Sequence, residues 1–220
     1  MSRYVWPRDI PAAKRIQNEL REKVRIQPLQ QRLSSIAGVD AAFDGERVIA
    51  VASLFAYPSL IHSADTMSRE DIRFPYIPGF LSFREGHAII SAIRKLRHMP
   101  DVIIVDGQGI AHPRRIGIAS HIGVLLDVPT IGCAKTRLMG EYVEPGTEKG
   151  QWSPLMYEGE QVGAVVRTRD NVRPVFISPG HLIDLPSSME ILLQCLTKYR
   201  LPEPIRRADH LSKKFAACST

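Results

Sequence analysis

Cysteine is scarce: Cys133, Cys195 and Cys218 are the whole complement of a 220-residue chain. Three thiols without a C-x-x-C or Cys/His spacing make neither a disulfide framework nor a structural zinc site. A reducing, cytoplasmic setting is therefore expected. No apolar run approaches the roughly 20 residues a membrane-spanning helix needs, and the mean hydropathy is -0.10, so no membrane partner is expected. The opening MSRYVWPRDI lacks the apolar stretch of a signal peptide, which speaks against export. Internal repeats and low-complexity tracts are missing. So are a G-x-S-x-G elbow and a Cys/His nucleophile pattern, which removes the common routes to covalent hydrolysis. GQG at 107–109 lacks the rest of a dinucleotide or P-loop fingerprint.

What is present is ordinary globular chemistry: 44% hydrophobic and 24% charged residues. The length suits one sizeable core, and a single domain over residues 1–220 is expected. The skewed quantity is charge, a formal +6. The basic excess lies entirely at the two ends, in residues 1–32 and 198–220, while 33–197 is net acidic. Such ends are either solvated helical faces or an electrostatic footprint for a polyanion.

Asp9, Pro11 and the spacing of Ala13, Ile16, Leu20 and Val24 predict a capped amphipathic helix. Three strand-like runs follow (36–43, 47–56 and 59–67), separated by DGE and YPS turns, and predict an antiparallel meander. Ile89, Ile90, Ile93 and Leu96 predict a helix. DVIIVDGQG (101–109), a helix over 114–127 and a strand at 129–134 form a βαβ unit with a parallel pair. Residues 139–160 read as loop, 160–168 and 172–178 as a hairpin, and 187–199 and 205–216 as closing helices. The fold class is α/β, with a central mixed sheet flanked by helices.

Two acids stand out. Asp40 interrupts the apolar strand IAGVDAAF, and Asp106 ends VIIVD. One strand-end aspartate most simply caps a turn. Two on adjacent strands repel each other, and a hard divalent cation resolves that repulsion. Glu85, opening the helix after the turn of 75–79, would add a third carboxylate. The C-terminal segment RRADHLS (206–212) adds Asp209 and His210 on a basic helix. Acids on the first strand, an early helix, the fourth strand and a late helix have the layout of ribonuclease-H-like nucleases.

Longer blocks sharpen this. GVDAAF (38–43), FPYIPGFLSFREG (74–86), VDGQGIAHPRRIGIASHIGV (105–124), PTIGCAKTRL (129–138), RPVFISPGHLIDLPSS (173–188) and LPEPIRRADHLS (201–212) resemble the endonuclease V family, in family order. The resemblance implies a ribonuclease-H-like fold. It implies a metal-dependent endonuclease that recognises inosine in DNA, RNA or both. The implied cut is at the second phosphodiester on the 3′ side, leaving a 3′-hydroxyl and a 5′-phosphate, as a step in repair of deaminated bases. It implies Mg²⁺, with Mn²⁺ as a substitute, held by Asp40, Glu85, Asp106 and Asp209, with His210 as the alternative fourth ligand. It places Lys135 near the reacting phosphate and His112 beside the site. A monomer is expected.

The resemblance also implies a wedge, Pro75-Tyr76-Ile77-Pro78, that parts a base stack, and a pocket for the deaminated base built from Gly79, Leu81, Gly107, Gly109, Ile118 and Leu138. The prolines suit a wedge because a fixed φ stiffens the loop. Unstacking costs a few kcal/mol, least at a weakened pair. Cys133 and Ile205 depart from the family pattern, where a small apolar residue and a threonine are expected. A binding module without catalysis, or another ribonuclease-H-like nuclease, would be the alternative; the first must explain why acids line a surface that meets phosphate.

Overall fold

The computed structural model describes residues 4–30 and 32–218. Helix α1 (Ile10–Arg21) starts where expected: the Asp9 carboxylate accepts from the Ala12 N–H at 2.7 Å, and a proline sits in its first turn. It buries Ala13, Gln17 and Leu20. Strands β1 (Ser35–Asp44), β2 (Arg47–Ala56) and β3 (His62–Asp71) form the meander. Helix α2 (Leu81–Arg94), β4 (Val102–Val105), α3 (Ile118–Leu126) and β5 (Thr130–Ala134) follow. Strands β6 (Trp152–Tyr157), β7 (Glu160–Val166) and β8 (Val175–His181) and helices α4 (Leu185–Gln194) and α5 (Glu203–Ala217) complete the described chain.

All eight strands join one sheet in the order β3-β2-β1-β4-β5-β8-β7-β6. β1, β4 and β5 run parallel, and the other pairings are antiparallel. The alternation of strand side chains explains the two cores. In β4, Ile103 and Val105 pack with α2 and α3, while Val102 and Ile104 face α4 and α5. A run of four apolar residues therefore reads as a strand buried on both faces. Cys133 and Ile205, the two departures from pattern, are fully buried in the second core.

Several boundaries differ from expectation. The stretch 139–160 contains a strand, β6, which tolerates Pro154 because it is the sheet's edge. β3 lies further along than 59–67. Helix α3 begins at Ile118 rather than 114, because the preceding segment is a turn with Arg115 at φ 55°. The first closing helix stops at Gln194, short of 199. Glu85 does not open α2 but sits a full turn inside it, beyond the favourable end of the helix dipole.

One close approach sets the site. α5 crosses β1 at Gly38, where an added Cβ would lie 2.1 Å from the Pro204 carbonyl carbon. Only glycine permits that contact, and it draws α5 onto the strand that carries Asp40. Among the described residues no helix is long and apolar enough to cross a membrane.

Candidate active site

Asp40 and Asp106 meet because β1 and β4 pair in parallel with Val39 opposite Val105. The Asp106 N–H extends that ladder, donating to the Val39 carbonyl at 3.1 Å. Asp209 reaches the same point from α5 on the other side. One carboxylate oxygen from each of the three lies within 4.8 Å of the others. The Ser212 hydroxyl, one turn further along α5, donates to Asp40 at 2.9 Å.

The electrostatics of this cluster are strained. Burial, followed by the charge of Asp106, pushes the Asp40 carboxyl up to about 7. Glu85, only 8% exposed, stands outside the group of three but feels it: burial and then the charges of Asp40 and Asp106 push it up to about 8. Lys135, following β5, donates to Asp209 at 2.5 Å and to Asp106. Burial works against its charge, but the Asp106 carboxylate and these hydrogen bonds hold its pKa above the ordinary lysine value. Asp209 is half-buried, which raises its pKa, yet hydrogen bonds from Lys135 and Lys213 bring it below the ordinary aspartate value. The donor set is all carboxylate oxygen, hard and anionic, and one ammonium already lies among it. A hard divalent cation fits such a set.

His210 is exposed on α5 and outside the cluster, so Asp209 is the C-terminal residue brought to the site. His112 is buried. Its Nδ1 accepts from the Arg114 N–H at 3.1 Å, which leaves Nε2 to donate to the Gly79 carbonyl at 3.0 Å. Burial, and then the nearby Arg114 charge, push its pKa down to about 4, so it is neutral at pH 7. Its geometry is that of a residue holding a loop.

A cavity of about 320 Å³ opens beside the carboxylates and shares Asp106 and Lys135 with them. Tyr76, Ile77 and Pro78 form its rim. Residues 75–79 form a turn between two buried anchors, Phe74 and Phe80, and Tyr76 is 69% exposed. The Phe80 N–H closes the turn on the Ile77 carbonyl at 3.0 Å, and Gly79 takes a φ of 81°, which a residue with a Cβ adopts with difficulty.

Of the expected pocket residues, Gly79, Leu81, Gly107, Ile118 and Leu138 do line the cavity. Leu138 is 43% exposed and belongs to its mouth rather than to a core. Gly109 is not one of its walls. It is packed against the Pro179 carbonyl, and its N–H donates to the Ser178 hydroxyl at 2.8 Å. Pro75 is exposed and does not line the cavity.

Sequence reasoning passed over Ser82, Gln108, Gly117 and Thr136, which also line the cavity. The Gln108 amide donates to the Thr136 carbonyl at 3.1 Å. It also passed over Arg200, whose guanidinium donates to the carbonyls of Lys135 and Pro174 at 2.8 Å each and so fixes the strand end that carries the lysine. Nothing local in the sequence marks Arg200. Gln17 carried a signal, a polar residue on the apolar face of α1.

Comparison with known proteins agrees with this geometry. A family model described as Endonuclease V matches residues 18–210. The Endonuclease V of Geotalea uraniireducens is 51% identical over 209 residues, covering 95% of this chain and 88% of the relative. The crystal structure of the Endonuclease V from Streptomyces avermitilis superposes with a TM-score of 0.92 at 38% identity, covering 97% of this chain and 96% of that one. The Endonuclease V of Ciona intestinalis, solved with a 23-mer DNA containing an inosine followed by a ribo-adenosine, superposes with a TM-score of 0.83 at 26% identity, covering 96% of this chain and 98% of that one. A half-buried carboxylate cluster beside a cavity rimmed by Tyr76, Ile77 and Pro78 thus goes with the sequence match: the chain belongs to the endonuclease V family, nucleases that hydrolyse phosphodiester bonds within a strand.

Proposed function

We propose that this chain recognises inosine in DNA or RNA and hydrolyses the second phosphodiester on its 3′ side, as part of the repair of deaminated bases. The observation that carries the reading is the adjacency of the cavity and the carboxylates, which share Asp106 and Lys135. Its support from relatives is the Ciona protein held on inosine-containing DNA. Asp40, Asp106 and Asp209 would hold Mg²⁺, or Mn²⁺ in its place, with Glu85 behind them. A divalent cation supplies a Lewis acid and lowers the pKa of water to make a nucleophile.

The chain's own groups do the remainder. Tyr76 and Ile77 would enter the base stack, and the cavity would receive the extruded base. Hypoxanthine presents N1–H and O6 where adenine presents an acceptor and an amino group, so backbone donors and acceptors around Gly107, with the Gly79 N–H, can separate the two. Lys135 presents its ammonium where negative charge grows on the phosphate. Water's oxygen bonds to phosphorus, the P–O3′ bond breaks, and the proton ends on the departing 3′-oxygen. The phosphate stays on the 5′ end of the downstream fragment. A monomer, acting as one domain in the cytoplasm, suffices for this.

The test is to incubate the protein with matched inosine and adenosine strands, with and without Mg²⁺, and to map the nicks. Cleavage one nucleotide beyond inosine, dependent on Mg²⁺ and lost in Asp106→Ala, is expected. Equal nicking of both strands, or undiminished cleavage by Asp106→Ala, would sink the reading.

A further inference from the structure

Three donors converge on one oxygen, the carbonyl of Gly79. Gln17 Nε2 donates to it at 2.9 Å, Arg114 Nη2 at 2.7 Å and His112 Nε2 at 3.0 Å. A carbonyl oxygen offers two lone-pair directions, so its acceptor capacity is saturated. Gln17 holds the group together from α1, because its Oε1 also accepts from Arg114 Nε at 2.5 Å.

Gln17 is 0% exposed, between Ala13 and Leu20 on the buried face of α1. An amide there is unfavourable to bury unless both of its ends are engaged, and here both are. Arg114 is held equally closely. Its guanidinium lies 4.3 Å from the Phe80 ring centroid, and no carboxylate pairs with it among the described residues. A cation kept without an anion depends on its carbonyl and amide acceptors for orientation.

Gly79 is the joint between wedge and pocket. The turn closed by Phe80 N–H and Ile77 carbonyl ends on it, and α2 begins two residues later. Fixing its carbonyl fixes the peptide plane from which Tyr76 and Ile77 project over the cavity. The family match begins one residue after Gln17.

We propose that Gln17 is a positioning residue for base discrimination. It sets the height of the wedge over the cavity by clamping Gly79 and Arg114, and it touches no reacting atom. The assignment rests on the inosine reading above.

Two variants test it. Gln17→Met keeps length and bulk without donor or acceptor; Gln17→Glu keeps the acceptor for Arg114 and loses the donor to Gly79. The readouts are kcat/KM on the inosine strand and on the matched adenosine strand at one Mg²⁺ concentration, and amide hydrogen exchange across 75–80. For Q17M, which removes both buried hydrogen bonds of the Gln17 amide, the inosine-to-adenosine ratio should fall about tenfold or more. Exchange at the Phe80 N–H should quicken by a similar factor, and Q17E should show a smaller drop in the ratio.

A purely structural role scales both strands alike, so an unchanged ratio overturns the assignment. If Q17M fails to fold, the Q17E ratio decides in the same way. A wild-type protein without preference for inosine overturns the inosine reading instead. Exchange then still judges the clamp, since wild-type exchange at Phe80 in a folded variant refutes it.

Discussion

Asp40→Asn should make the metal-free protein more stable while abolishing its nuclease activity. The Asp40 carboxyl is raised from an ordinary 3.8 to about 7, by burial first and the charge of Asp106 second. Because its folded-state value lies above the unfolded one, the native state keeps a proton that the unfolded chain releases. Stability contributed by this group is therefore full below pH 3.8, falls as pH rises, and is lost above pH 7. At about 1.4 kcal/mol per pH unit, the penalty at pH 8 is about 4 kcal/mol.

Asparagine cannot ionise, and its carbonyl oxygen can still accept from the Ser212 hydroxyl. Relief of about 4 kcal/mol should raise the melting temperature by about 10 °C in a chain of this size. Glu85→Gln should act in the same direction, since Glu85 is raised from 4.5 to about 8. The double variant should gain less than the sum, because the charge of Asp40 is itself one cause of the Glu85 shift.

The assay is thermal unfolding from pH 5 to 8 in EDTA, repeated with saturating Mg²⁺. Wild type should lose stability from pH 5 to 7 relative to D40N, and Mg²⁺ should restore it by about 2.7 kcal/mol at a hundredfold excess over Kd. D40N should show little Mg²⁺ response. A D40N protein that melts at or below wild type at pH 8 in EDTA would refute the strain, and Mg²⁺-dependent nicking by D40N would refute the ligand assignment.

Two further outcomes bear on the wedge and the C-terminal ligand. Tyr76→Ala should lower the preference for inosine over adenosine by about 1–3 kcal/mol, the worth of one aromatic–base contact, without changing the Mg²⁺ half-saturation; an unchanged preference rules out the wedge. Asp209→Ala should lose most cleavage at limiting Mg²⁺, while His210→Ala stays near wild type, because His210 faces solvent and lies outside the acidic cluster; the reverse order of activities would exchange the two residues.

Signals that act over a few neighbouring residues are enough to specify several elements. The Asp9 cap, the three-stranded meander and the βαβ unit are each written in spacing and turn residues that act over a few positions. Such signals also single out Asp40 and Asp106, since an aspartate in an apolar strand is conspicuous at once, and the long blocks carried the family. Edge strand β6 escaped because glycines and prolines mask alternation, and an edge needs only one partner.

Tertiary structure alone decided what depends on packing between distant segments. The crossing of α5 at Gly38 chose Asp209 over His210, a choice that neighbouring residues in one basic stretch could not settle. Packing turned Gly109 away from the cavity, put Leu138 at its mouth and made His112 a neutral loop-holder. It also joined Gln17 and Arg114, 97 positions apart, over one carbonyl oxygen. The basic ends divide in the same way. Lys14 and Arg15 face solvent on α1, whereas Lys213, equally basic in sequence, reaches back to Asp209. Which cation is a solvated face and which belongs to the site is a matter of where its helix lands, and spacing along the chain does not record that.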